Sequence, residues 1–188
     1  MNNSYNISGK SDSLLDALQN ELDKNRKSVF FCNQKIDNYL ILYFLLKNSK
    51  NIKIYTNDLS FFSDEKINDF NSEYSNYYQL LSDATSRFFE NSGKILVITK
   101  KSMNKDNIHE LFRNRFHFDG DKKNLFVLKE QISLIKDLQP FMVSSDINVA
   151  CVSDKRDNNY YYMCTIGMNK LSNTCDLVAS NFVRLIND

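Results

Sequence analysis

Lys94-Ile-Leu-Val-Ile-Thr99 is the most strand-like run in the chain, with four apolar residues in succession, three of them β-branched. An unbroken apolar run of this length suits a strand covered on both faces, as parallel strands are, whereas a strand with one wet face alternates. Ser92-Gly93 immediately upstream is a helix stop. Before it, Glu73 to Phe89 reads as a helix whose apolar face is Tyr77, Leu80, Leu81, Ala84 and Phe88.

The same alternation extends in both directions. Towards the N-terminus, Ile52 to Thr56 reads as a strand and Lys35 to Asn48 as a helix. Ser28 to Cys32 is a further strand, and Ser11 to Leu22 an amphipathic helix with Leu14, Leu15, Leu18 and Leu22 inward and Asp16 and Glu21 between them. Towards the C-terminus, Asp106 to Phe116 reads as a helix, Asn124 to Leu128 as a strand and Glu130 to Leu138 as a helix stopped by Pro140. The rhythm then changes. Phe141 to Val143, Ile147 to Val152 and Tyr160 to Ile166 are three strand-like runs too close together for crossovers, which implies antiparallel pairing through the charged turn from Asp154 to Asn159. A helix from Thr174 to Ile186, N-capped by Ser172 or Asn173, closes the chain with Leu177, Val178, Phe182, Val183 and Ile186 on its packed side. The expected fold is a single α/β domain over residues 1–188, with a mostly parallel central sheet flanked by helices, an antiparallel C-terminal hairpin and a closing helix.

Length and composition set limits on function. A chain of 188 residues suits one cored domain. Four glycines and one proline leave little for a glycine-rich phosphate loop, and neither the P-loop nor the dinucleotide fingerprint is present. Lys and Arg number 24 against 23 Asp and Glu, so the molecule as a whole makes no electrostatic claim on nucleic acid or an anionic membrane. The first residues lack the pattern of a secretory signal, and the longest apolar stretch, Tyr39 to Leu46, is too short to span a bilayer; a cytoplasmic protein without membrane attachment is expected. Cys32, Cys151, Cys164 and Cys175 are widely spaced without a C-x-x-C pair and read as small core residues.

Candidate chemistry is sparse, and no catalytic, cofactor or metal site is expected. His117 with Asp119 and Asp121 reads as a loop histidine beside a turn, with too few imidazole or thiolate ligands for zinc. His109 falls on a helix. No G-x-S-x-G elbow presents a nucleophile. Asp58, Asp119 and Asp146 are the loop carboxylates on which an alternative reading, a small hydrolase or transferase acting on a nucleotide, would rest. Lys100, Lys101, Lys105, Arg113, Arg115, Lys122 and Lys123 form a local basic region, interleaved with Phe112 and Phe116, on which a second alternative, a nucleic-acid binder, would rest; solvated lysines are the plainer reading. Tyr160, Tyr161 and Tyr162 are consecutive on a strand and cannot all face the core, which makes them a candidate interface, with an edge strand as the plain alternative.

From Asn124 onward, roughly the last 65 residues, the order of elements resembles the phospholipase D-like family. The resemblance runs through Asn124-Leu-Phe-Val-Leu, Leu138-Gln-Pro-Phe-Met-Val-Ser-Ser-Asp146, Asn148-Val-Ala-Cys-Val and Cys164-Thr-Ile-Gly-Met-Asn-Lys-Leu-Ser172. Where active members carry the His-x-Lys pair this chain has Phe141 and Val143, Asp146 is offset from the family aspartate, and the Gly167-Met-Asn169 turn is one residue short. The resemblance therefore implies a degenerate domain without phosphodiesterase chemistry. It implies an interaction or regulatory subunit in a microbial system, as a homo-oligomer or bound to a partner protein.

Overall fold

The computed structural model describes residues 3–6, 11–32, 35–56, 79–99, 125–129, 138–156 and 159–187. They form strands β1 (Asn3–Asn6), β2 (Ser28–Cys32), β3 (Asn51–Thr56), β4 (Lys94–Thr99), β5 (Leu125–Lys129), β6 (Phe141–Ser144), β7 (Val149–Arg156) and β8 (Asn159–Ile166). The helices are α1 (Ser11–Asp23), α2 (Lys35–Asn48), α3 (79–90) and α4 (Asn169–Asn187).

One sheet holds all eight described strands in the order β1-β2-β8-β7-β6-β3-β4-β5. The α/β class is as expected; the pairing is not mostly parallel. The pairs β1–β2, β3–β4 and β4–β5 are parallel, while β2–β8, β8–β7, β7–β6 and β6–β3 are antiparallel. The unbroken apolar run of β4 is parallel to both its neighbours, as its pattern suggested; the balance shifts because the antiparallel group β6, β7 and β8 is inserted in the same sheet between β2 and β3. Six strands still point one way, because only β6 and β8 are reversed. They separate β2 from β3, so α2 connects two parallel strands with β8, β7 and β6 between them. The sheet thus has a carboxyl edge, where β2, β3, β4, β5 and β7 end, and an amino edge, where they begin.

Both faces are covered. On one face Leu14 and Leu18 of α1, Leu81, Phe88 and Phe89 of α3 and most of α2 pack against Phe30, Ile52, Ile54, Ile95 and Val97. Helix α2 is buried nearly all round, including Asp37 and Asn38, as befits a helix held between a sheet and α1. On the other face α4 brings Cys175 and Ala179, with Leu171 and Val178 beside them, onto Tyr55, Leu96, Ile98, Phe141, Val143 and Ala150.

Four local expectations are corrected. Helix α4 begins at Asn169, so Ser172 is buried inside its first turn instead of capping it, and Leu177 is 59% exposed where a packed residue was expected. Leu80 is 42% exposed; Phe89 takes the buried place. Glu21, expected on the wet side of α1, is 1% exposed. Strands β7 and β8 also run further into the charged stretch than their apolar content suggests, pairing as far as Arg156 with Asn159. The helix expected at 106–116 lies outside the described residues, as does the one expected at 130–138 apart from Leu138, which is not helical.

Helices α1 and α3 end alike. Arg26 N–H donates to Glu21 O at 3.0 Å and Asn25 N–H to Leu22 O at 3.0 Å; Gly93 N–H donates to Phe88 O at 2.8 Å and Ser92 N–H to Phe89 O at 2.9 Å. These are Schellman closures, with Asn25 (φ 49°) and Ser92 (φ 61°) in the left-handed position usually held by glycine.

Candidate functional site

The corner of the sheet where the sequence resemblance would place a nucleophile is apolar. Phe141 and Val143 point to the α4 face at 4% and 0% exposure, and Phe141 stacks on Tyr55 with ring centroids 5.6 Å apart. Neither side chain can attack phosphorus or carry a proton, and Cys175 and Ala179 of α4 belong to the same packed cluster.

Asp146 does not join them. It lies in the turn between β6 and β7 at the amino edge, where its Oδ2 accepts the Lys50 N–H at 2.6 Å and its Oδ1 accepts the Ser144 hydroxyl. Its carboxylate fastens that turn to the one between α2 and β3. Asn148, in the left-handed region at φ 53°, completes the turn, and its carbonyl accepts Gly167 N–H at 2.9 Å. Gly167 has φ 70°, and a Cβ there would stand 2.8 Å from the Arg26 carbonyl oxygen, so only glycine fits between β8 and α4. Nearby, buried Glu21 accepts the Ser28 hydroxyl and lies 3.9 Å from the Arg26 guanidinium. On the α4 face, Lys53 Nζ is 2.7 Å from Asp176 and donates to Ser180 Oγ at 2.9 Å, while Ser145 Oγ donates to Asp176 at 3.2 Å. With Lys53 paired as an ammonium, this cluster has no free base, and its effect is to seat α4 on β3.

The carboxyl edge is chemically different. In-register pairing aligns Thr56 of β3 with Thr99 of β4, and Thr99 with Lys129 of β5. Further along, Cys32 of β2 is paired with Tyr162 of β8, and Tyr162 with Ser153 of β7. Strand alternation puts Thr99 on the same face as Ile95 and Val97, and Thr56 on that of Ile52 and Ile54, which is the face covered by α1, α2 and α3. Thr99 is 1% exposed, and its Oγ1 is the one buried side-chain nitrogen or oxygen among the described residues without a hydrogen-bond partner. Sequence reading did not single out this row. The available signal was that the runs Ile52–Thr56 and Lys94–Thr99 both end in threonine. For Glu21, read as solvent-facing, the available signal was its place one turn on from Leu18 and two from Leu14, on the apolar side of α1.

The remaining candidates are placed only in part. Tyr162 is half-buried against the core, and β8 lies between β2 and β7, so it is not an edge strand. Tyr161 stands opposite Asp154 and Tyr160 opposite Lys155. Lys100, Lys101, Lys105, Arg113, Arg115, Lys122 and Lys123 lie outside the described residues, as do Asp58, His109, His117, Asp119 and Asp121. All four cysteines are buried free thiols. Desolvation pushes Cys32 up to about 12, with Asp37 adding to the effect, and Cys175 up to about 11, with Asp176 adding. Cys151 and Cys164 are raised well above the usual thiol value, again chiefly by burial. Such thiols are poor nucleophiles. Among the described residues no cluster of three or more His, Cys, Asp or Glu side chains is placed to hold a metal ion, and no helix is long and apolar enough to cross a membrane.

No protein-family model matches the chain, and no curated protein matches it at a significant level.

Proposed function

We propose that the protein is a non-catalytic, phospholipase D-like interaction or regulatory subunit of a microbial system, cytoplasmic, working as a homo-oligomer or bound to a partner protein. The observation that carries this reading is the burial of Phe141 and Val143 among apolar neighbours, at the positions where the resemblance would put the reactive pair. The order of β6, the β7–β8 hairpin and α4 agrees with it.

A docking role also draws on an apolar area of the α4-side face. Helix α4 packs over β3, β6 and β7. Further along that face, in β2 and β8, Phe31 is 48% exposed and Val29 and Met163 are half-buried. Exposed aromatic and methionine side chains of this kind favour protein contacts. The hydrolase alternative loses Asp146, whose oxygens are occupied in holding two turns together.

The test is light scattering of the purified protein over a range of concentrations, alongside Phe31→Ser. The proposal expects an oligomer, or a stoichiometric complex with a co-purifying protein, that Phe31→Ser weakens without unfolding the chain. A monodisperse monomer at high concentration with no co-purifying protein overturns it.

A further inference from the structure

We propose that Cys151 of β7 and Cys164 of β8 are a redox pair: in an oxidising medium they close to a cross-strand disulfide that staples the hairpin in the middle of the sheet, and in a reducing one they stand as two free thiols. The inference goes beyond the docking role and does not depend on it. It starts from strand register. Cys151 and Cys164 are directly opposite each other on antiparallel strands. The hydrogen bond from Gly167 N–H to the Asn148 carbonyl fixes the phase of that ladder, because 148 and 167 continue the same register and hydrogen-bonded pairs alternate with non-hydrogen-bonded ones. Ala150 and Thr165 are then a bonded pair, and Cys151 and Cys164 a non-bonded one. The other side of β7 agrees: Ser153 N–H donates to the Pro140 carbonyl, so Cys151, two residues back, also turns its amide to β6 and away from β8. In a non-bonded pair the Cα atoms stand about 4.5 Å apart with the side chains at their closest, inside the window of about 4.4–6.8 Å that a disulfide spans.

The same geometry excludes the other thiols. Phe30 is the β2 residue opposite Cys164, so Cys32 is only diagonal to it. Diagonal neighbours are about 7–8 Å apart, too far to bridge. Cys32 and Cys151 have β8 between them, and Cys175 packs on the opposite face, with Tyr55 and Phe141. A disulfide oxidant such as oxidised glutathione balances the step. One cysteine thiolate attacks a glutathione sulfur and expels one glutathione thiolate; the second attacks the protein sulfur of the mixed disulfide and expels the other. The two cysteines lose two electrons, one glutathione disulfide gains them, and the two thiol protons pass to the departing thiolates. Both cysteines are buried, at 2% and 0% exposure, so exchange takes place as the chain folds or when the hairpin opens, and the closed bond is then shielded. The staple has leverage because β8 and β7, with β6, join the parallel pair β1–β2 to the parallel group β3–β4–β5.

The experiment refolds the reduced full chain from denaturant in a glutathione redox buffer and, separately, in excess dithiothreitol. The glutathione-refolded wild type is expected to lack two hydrogens by intact mass, to yield a peptide linked through Cys151 and Cys164 on non-reducing digestion, and to melt about 5 °C or more above the reduced form. Cys32→Ala and Cys175→Ala should still form the link, and Cys151→Ala and Cys164→Ala should not; if either of the latter fails to fold, the linked peptide of the wild type decides. A link between any other pair overturns the proposal. So does a wild type that keeps its thiols or stops at the glutathione adduct, or a disulfide form that melts no higher than the reduced one.

Discussion

The two edges of the sheet are built differently. At the amino edge the connections are short, and their polar groups are matched: Asp146 with Lys50 N–H and the Ser144 hydroxyl, Glu21 with Ser28, Gly167 N–H with the Asn148 carbonyl, and both Schellman closures. At the carboxyl edge a row of hydroxyl, thiol and amine residues ends the strands, one buried hydroxyl is unmatched, and the sequence places the long segments 57–78 and 100–124 directly after β3 and β4. The contrast separates an edge whose polar groups hold the fold together from one where a buried hydroxyl has no such part. In proteins generally, recognition is carried on long loops mounted on a rigid scaffold, whereas tight, saturated turns belong to the scaffold itself.

Substitutions at the amino edge should therefore lower stability, and those at the carboxyl edge should not. The largest loss is expected from Glu21→Ala, at about 3 kcal/mol, because it leaves the Ser28 hydroxyl buried without its acceptor and opens space beneath α1. Denaturant unfolding measures it, and a loss under 1 kcal/mol would remove Glu21 from the account. Gly167→Ala comes next at about 2 kcal/mol, from the strained φ and the clash with the Arg26 carbonyl. Asp146→Ala should cost about 1 kcal/mol, since its two bonds lie at a partly wet turn. At the carboxyl edge, Thr99→Val should change stability in the opposite direction, by up to about 1 kcal/mol. If Thr99→Val and Asp146→Ala destabilise alike, the edges do not differ in the way described.

The buried thiols give a pH dependence with a defined sign. Folding raises Cys32 to about 12 and Cys175 to about 11, so above the ordinary thiol value near 9 the unfolded chain gives up protons that the folded one keeps. Their contribution is full below about pH 9 and is lost as pH climbs through the folded values. Stability should decline between pH 9 and 11, and Cys32→Ala should make that decline shallower. The same thiols should resist an aromatic disulfide reagent at pH 8 until the protein is unfolded. Rapid labelling of the native state would contradict their burial.

Much of the fold could be read from the chain because each element carried its own local signal. β2, α2 and β4 fall where Ser28-Val-Phe-Phe-Cys, the apolar repeats of Lys35 to Asn48 and Lys94-Ile-Leu-Val-Ile-Thr put them. Strand order was not legible, since the insertion of β8, β7 and β6 between β2 and β3 depends on long-range pairing that no local pattern records. β1 was missed because Asn3-Ser4-Tyr5-Asn6 has neither alternation nor β-branched residues. Of the site, the apolar character of Phe141 and Val143 was plain from their identities. The role of Asp146 was not, because a partner 96 residues away at Lys50 decides it. Thr99 gave no signal beyond ending a strand, as an unmatched hydroxyl is a property of three-dimensional packing.

The corner at Phe141 and Val143 is filled with apolar side chains, and the proposed docking role leaves it no phosphodiester chemistry. The decisive assay is phosphodiester turnover by the purified protein. No rate above buffer is expected for the wild type, and none gained or lost on changing Asp58 or Asp119 to Asn. Turnover that disappears with either carboxylate would contradict it.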